Sequence, residues 1–343
     1  MQIIKPGINI NFVGRRQIAY IISAIFILVS LVSLIAHELA HSWSGNLVSN
    51  ATWRDIWLNE GTTSYLEARL MEVLFGKDRA DEERVLTYLS LLESLKTVTV
   101  DMQPLAPRFD SGDPDVGQEG MEYAKGQLML ETLEAAFGRE VFDAYLAGYF
   151  QHFAWQAITT EQFLEYIDAA LLQAHPGVYS RAELEQWLYQ PGVPDNAHIP
   201  QSESLAEIDR VAGLWASGEI SSDNLPAADW SPQGVVRFIG ALPADLSEAT
   251  LTKLDAALGL SQSGNAEIAR SWFIQVAKRR HLPAYPAMDT YLAKYGRARL
   301  VRPVYAELAK NGHDQAMAKR LFEANRRTYH QATVDSVLPL LSP

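Results

Sequence analysis

The run His37-Glu38-Leu39-Ala40-His41 constrains this chain more than any other stretch. Residues four apart stand one helical turn from each other on the same face, so both imidazoles can point at one metal ion only if this run is helical. A third ligand must then come from another element. Glu60 can supply it, separated from His41 by eighteen residues, in the stretch Trp57-Leu58-Asn59-Glu60-Gly61. Two imidazoles and one carboxylate leave a fourth position open, the arrangement of a catalytic rather than a structural zinc site. Glu38, next to His37, is placed to take a proton from the water that such an ion activates. The chain has no cysteine, so thiolate ligands and disulfides are excluded. A single ion held by imidazole and carboxylate alone suits zinc best.

A length of 343 residues allows two domains, and a net charge of −12 argues against nucleic acid as a partner. The charge is uneven. Lys5, Arg15 and Arg16 precede His37, and no acid does. From Gln17 to Ala36 there is no charge at all, and most side chains are aliphatic. Three readings of this run stay open. It is long enough to span a bilayer as a signal-anchor helix with Arg15 and Arg16 on the cytoplasmic side. Part of it is equally a buried element feeding the metal helix, or residues 1 to about 33 are foreign to the fold. Location divides the same way, between the cytoplasm and a membrane anchor formed by residues 17–36.

Periodicity predicts a metal helix over 34–44, ended by Gly45-Asn46, and a second helix from about 53 to 75 that carries Glu60 and stops at Gly76. Glu67 falls on the same face as Glu60. It can either support a ligand from behind or pack at the surface, and the surface role is the simpler expectation. Trp43, Trp53 and Trp57 read as core around these helices. A helix over 78–98 follows, then a long loop marked by Pro104, Pro107, Gly112, Pro114, Gly117 and Gly120. Helices are predicted again over 122–137, 139–150, 160–174 and 181–189. Pro191-Gly192-Val193-Pro194 opens a boundary running to Ser204. Beyond it lie short amphipathic helices near 203–217, 231–241, 247–259, 264–280, 284–295, 297–311 and 313–330, a helix-pair pattern with no strand signal.

The metal residues and the words around them, AHELAHSWSGN over 36–46 and WLNEG over 57–61, resemble the gluzincin aminopeptidases of the M1 family. Later stretches resemble the leukotriene-A(4)-hydrolase-like members: Asp113-Pro114-Asp115-Val116, Tyr123-Ala124-Lys125-Gly126, Trp187-Leu188-Tyr189 and 296–303. The resemblance implies a mainly α fold. A helical thermolysin-like catalytic lobe would span 34–190, a linker 191–204, and an α-solenoid-like domain of the HEAT/armadillo kind 205–343. It implies His37, His41 and Glu60 as zinc ligands, Glu38 as general base and Tyr123 as the donor to the tetrahedral oxyanion. Arg297 and Arg299 would hold the carboxylate of a short peptide, across a cleft from the zinc. Tyr123 and the two arginines come from the resemblance alone. Without it Tyr123 reads as a loop or core aromatic, and the arginines as a solvated basic stripe.

Two departures accompany the likeness. The family's G-x-M-E-N loop and large N-terminal β-domain have no counterpart here. Gln118 stands where the epoxide-hydrolysing members have tyrosine, although Asp115 is present. The expectation is a zinc aminopeptidase for short peptides. Its competitors are a zinc-binding piece of a longer enzyme with little turnover, and a membrane-tethered protease.

Overall fold

The computed structural model describes residues 34–108, 120–310, 312 and 314–341. Residues 17–33 of the apolar run and the stretch Asp113 to Gln118 lie outside it. Among the described residues no helix is long and apolar enough to cross a membrane. Two compact units divide the chain between Ser202 and Glu203. Segment 191–202, expected as part of a linker, groups with the first unit. Gly192 donates its amide to Gln103 Oε1 at 3.1 Å, and His198 donates its amide to Thr132 Oγ1 at 3.0 Å.

The first unit is helical. Its elements are α1 (34–40), β1 (Val48–Asn50), α2 (Ile56–Phe75), α3 (Lys77–Ser94), α4 (Met121–Phe137), α5 (Arg139–His152), β2 (Gln156–Ile158), α6 (Thr160–Ile167) and α7 (Arg181–Tyr189). Local chemistry sets many of the ends. Gly76 at φ 87° and Gly138 at φ 79° stop α2 and α4 in a backbone region that other residues avoid. Thr159 with Gln162, and Ser180 with Glu183, form capping boxes at α6 and α7. The core gathers Trp57, Tyr65, Met129, Leu133, Phe142 and Trp187.

The metal helix is shorter than its predicted span of 34–44. The His41 amide still donates to His37 O at 3.1 Å, but the chain then folds back. Gly45, at φ 112°, donates its amide to Val48 O, and Val48 donates back to Trp43 O. This reversal leads into β1, which pairs in parallel with β2 in the register Val48 to Gln156. The sequence reading had no strand here, because three residues are too few to display a two-residue alternation. At the start of α2, buried Asp55 accepts from both the amide and the hydroxyl of Thr160, each at 2.8 Å. Trp57 Nε1 donates to the same hydroxyl. Trp57 is core as expected, but Trp43 and Trp53 are 47% and 60% exposed. Aromatic composition marks a residue as able to be buried and does not choose which residue is.

Helices α2 and α4 cross closely where Gly61 meets Gly126. A Cβ on Gly61 would lie 2.8 Å from both Glu122 O and Gly126 Cα. The backbones therefore approach as only glycine allows. This crossing sits between Glu60 on one helix and Tyr123 on the other.

The second unit holds α8 (Glu203–Ala216), α9 (Pro232–Gly240), α10 (Glu248–Leu258), α11 (Ala266–Arg279), α12 (Tyr285–Lys294), α13 (Ala298–Lys310), α14 (Gln315–Asn325) and α15 (Gln331–Leu341). Helices α9, α11, α13 and α15 pack in succession, and α12 packs on α14, as alternate helices of a solenoid do. The single helix predicted over 313–330 ends early, and α15 follows it unforeseen. Tyr329 causes the break: its buried hydroxyl donates to Leu292 O at 2.7 Å and lies 3.0 Å from the Tyr305 hydroxyl. Those tertiary partners hold the turn at 326–330 against helical continuation.

Candidate metal centre

His37 and His41 present their rings edge to face, with centroids 4.8 Å apart. Glu60 comes to them from the second turn of α2. Its Oε2 stands 3.4 Å from His37 Nε2 and 3.6 Å from His41 Nε2. Atoms bound at about 2.0–2.1 Å to a tetrahedral zinc are about 3.3–3.4 Å from one another. Glu60 Oε2 therefore stands at ligand spacing from both imidazoles, and the three residues, with one ligand atom each within 4.8 Å of the others, form the one such group of three or more among the described residues.

The other ring nitrogens are already engaged, which fixes the tautomers. His41 Nδ1 donates to Ser44 O at 2.9 Å, and a carbonyl can only accept. Thr63 Oγ1, on α2, lies 3.1 Å from the same nitrogen and donates to the same carbonyl. Ser44 in turn donates its hydroxyl to Leu58 O at 2.8 Å, tying the turn after α1 to α2. His37 Nδ1 donates to Glu67 Oε2 at 3.0 Å. Both Nε2 atoms are left to face Glu60, where the neutral rings would offer their lone pairs to a metal. Such outer partners orient the ring and raise its basicity toward a metal.

Electrostatics point the same way. Glu60 Oε2 is buried without a hydrogen-bond partner of good geometry. The carboxylates of Glu60 and Glu67 push the pKa of His37 up to about 9 against the opposing effect of burial. The pocket attracts positive charge, and a divalent cation would satisfy the orphaned oxygen and both imidazoles at once. The residues fit a zinc ion.

Glu38 is exposed on α1, beside His37. Tyr123 lies in the first turn of α4, 38% exposed, its ring stacked on that of His37 at 6.1 Å. Burial, then the charges of Glu60 and Glu122, push its hydroxyl pKa up to about 12, and the charge of Glu38 adds to them. One locality thus gathers five of the seven residues singled out from the sequence. Arg297 and Arg299 belong to the second unit. Arg299 is an exposed residue paired with Glu267 at 2.6 Å, and Arg297 offers its carbonyl to the first amides of α13.

Two contributors escaped the sequence reading, and a third was given the other of its two roles. Glu67 holds His37, the role ranked below a plain surface position; its seven-residue spacing from Glu60 was the available signal. Thr63 and Ser44 steady His41 through hydroxyls that no spacing rule picks out.

Comparison with known proteins agrees with this geometry. Residues 21–180 match the peptidase family M1 domain, and residues 230–341 match the C-terminal domain of leukotriene A4 hydrolase. Leucine aminopeptidase 2-1 of Meyerozyma guilliermondii is 31% identical over 87% of this chain and 51% of its own length. Leucine aminopeptidase 2 of Yarrowia lipolytica is 31% identical over 89% of this chain and 50% of its own. The chain thus spans about half the length of the curated relatives it matches. The structure of yeast LTA4 hydrolase with bestatin superposes with a TM-score of 0.79 at 26% identity, covering 91% of this chain and 54% of that one. With the metal residues inside one matched domain and the helix pairs inside the other, the chain belongs to the M1 peptidase family, in the group with a leukotriene-A4-hydrolase-type C-terminal domain.

Proposed function

We propose that this chain is a zinc aminopeptidase that removes N-terminal residues from short peptides. The observation that carries the reading is the convergence of His37, His41 and Glu60 at ligand spacing, with Glu38 and Tyr123 beside them. The relatives' names, leucine aminopeptidases, support the reaction type.

When bound, zinc supplies a Lewis acid and lowers the pKa of its water to about 7. His37, His41 and Glu60 hold it, and Glu67 keeps His37 turned toward it. Glu38 accepts the proton of the attacking water on its carboxylate and returns it to the leaving amine nitrogen. The Tyr123 hydroxyl stays protonated at neutral pH, because its pKa is near 12. It donates to the carbonyl oxygen as charge gathers there, a contact of about 2.7–4 kcal/mol in comparable sites. Arg297 and Arg299 receive the peptide's carboxylate, as guanidinium groups do in charge-assisted pairs.

The test is hydrolysis of aminoacyl p-nitroanilides by the wild type and by Glu38→Gln, with zinc content measured in both. Glu38→Gln should keep one zinc and lose about 10²–10⁴-fold in kcat. Equal rates reject the reading, and a zinc-loaded wild type without turnover leaves a zinc-binding chain that is not a peptidase.

A further inference from the structure

Lys125 is the most deeply buried charged residue of the first unit, at 0% exposure. Its amino group, whose pKa burial pulls down to about 7, meets two backbone carbonyls: Nζ donates to Gln103 O at 3.0 Å and to Gln190 O at 2.9 Å. Burying an ammonium is costly unless its hydrogens are satisfied. A methionine or leucine would fill similar space without that cost, so this lysine calls for a purpose beyond packing.

Its partners suggest one. Gln103 sits in the loop between α3 and α4, and Gln190 caps the end of α7. The Gln103 side chain extends the junction, donating to Leu95 O and Val98 O and accepting from the Gly192 amide. Beside it, the amides of Leu105 and Ala106 donate to Trp187 O and Leu188 O. Lys125 is therefore the point at which α4 is fastened to this loop and to the end of α7.

The fastening falls where α4 needs it. The helix starts at Gly120, φ 89°, with no side-chain cap. The Glu122 carboxylate reaches back to its own amide and that of Gly120, and no N-cap side chain adds to it. Tyr123 lies in that turn, half-exposed beside His37. Residues two apart on a helix point about 200° from each other. Tyr123 thus faces the metal residues while Lys125 grips the interior behind it. The next residue, Gly126, rests on Gly61, the neighbour of Glu60.

We propose that Lys125 is a positioning residue: the hydrogen bonds from its buried Nζ fix the first turn of α4 so that the Tyr123 hydroxyl is held against the metal site. The proposal rests on the aminopeptidase reading for its kinetic consequence, and on geometry alone for its structural one.

A double-mutant cycle tests it. Lys125→Met should lower kcat about tenfold with KM within twofold and zinc stoichiometry unchanged. In a Tyr123→Phe background the same substitution should cost less than twofold, since the group it positions is gone. An equal loss in both backgrounds overturns the proposal, because a general structural defect would act regardless of Tyr123. Should Lys125→Met not fold, Gln103→Leu loosens the same junction and must show the same dependence on Tyr123; an additive loss overturns the proposal.

A second readout needs no turnover. With 3-fluorotyrosine incorporated, the Tyr123 resonance, assigned by its loss in Tyr123→Phe, should shift or broaden in the zinc-loaded Lys125→Met protein. An unchanged resonance refutes the positioning role. A wild type that hydrolyses nothing refutes only the aminopeptidase reading and leaves this resonance to decide.

Discussion

Glu67 shows how far a single side chain reaches here. It accepts from His37 Nδ1 at 3.0 Å and thereby presents Nε2 to Glu60. Removing such a partner costs about 10–100-fold in metal affinity. Glu67→Ala should therefore weaken zinc binding by that factor in competition titrations against a chromophoric chelator, while Glu38 and Tyr123 stay in place. An affinity within twofold of wild type would mean that His37 is oriented by something else. The three candidate ligands were legible because a metal imposes spacing on sequence: four positions within a helix, nineteen to the next candidate. Glu67 was legible only as one of two options, since a carboxylate seven residues along a helix is equally at home in solvent. Lys125 offered no signal of its own, because lysine composition argues for the surface and only the carbonyls of Gln103 and Gln190 reverse that.

Elements were read well where their own residues decide them and poorly where distant ones do. Helix α7 fell on its predicted span because Ser180 and Glu183 cap it locally. The two strands, the shortened α1 and the separate α15 were missed because a chain reversal, a three-residue pairing and the Tyr329 anchor are tertiary effects. The crossing of α2 and α4 is another, and it makes a prediction of sign. Gly126→Ala would put a methyl 2.8 Å from Gly61 Cα, so the backbones must separate. This should cost about 1–3 kcal/mol in denaturant unfolding and lower kcat by moving Tyr123 from Glu60. Gly213→Ala, in α8 with nothing within 4 Å of the added carbon, should instead stabilise by about 0.4–1 kcal/mol. Two substitutions with the same sign would contradict this account of the crossing.

The remaining faces of α2, α3 and α5 are joined by charge. Glu72 accepts from Arg139 at 2.8 and 3.1 Å and from Arg84 at 2.8 Å, one residue on each of the three helices. Arg139, then Arg84, hold its carboxyl down at about 2, below the ordinary 4.5. The folded state therefore binds this proton less readily than the unfolded chain does. Its contribution is complete above about pH 4.5 and is lost as the pH falls toward 2. Glu72→Gln should lower stability at pH 7 by about 1–2 kcal/mol, less than a fully buried pair because Arg139 is half-exposed. It should also flatten the fall in stability between pH 5 and 3. An unchanged pH profile would show that the pairing is not maintained in solution.

At the scale of the whole molecule, the sequence announced two helical bodies. Pro191-Gly192-Val193-Pro194 marked a change of composition, while contacts divide the chain at Ser202, because hydrogen bonds from Gly192 and His198 keep the intervening segment with the first unit. No residue pattern reports that, since the acceptors are Gln103 and Thr132, far back in the chain. Arg297 and Arg299, proposed to hold a peptide's carboxylate, belong to the second unit, and one experiment can ask whether Arg299 touches substrate at all. Arg299 is 75% exposed at its side chain, and its pair with Glu267 is worth about 0–1 kcal/mol to stability. Arg299→Ala should thus leave unfolding nearly unchanged. If the guanidinium holds a peptide's carboxylate, the substitution should raise KM for a tripeptide about tenfold and leave kcat near wild type, as loss of uniform binding does. An aminoacyl p-nitroanilide has no carboxylate at that end, so its KM should stay within twofold. A rise for both substrates alike would assign Arg299 to the fold of its own unit, and no rise for either would leave the carboxylate to Arg297 or to no residue of this chain.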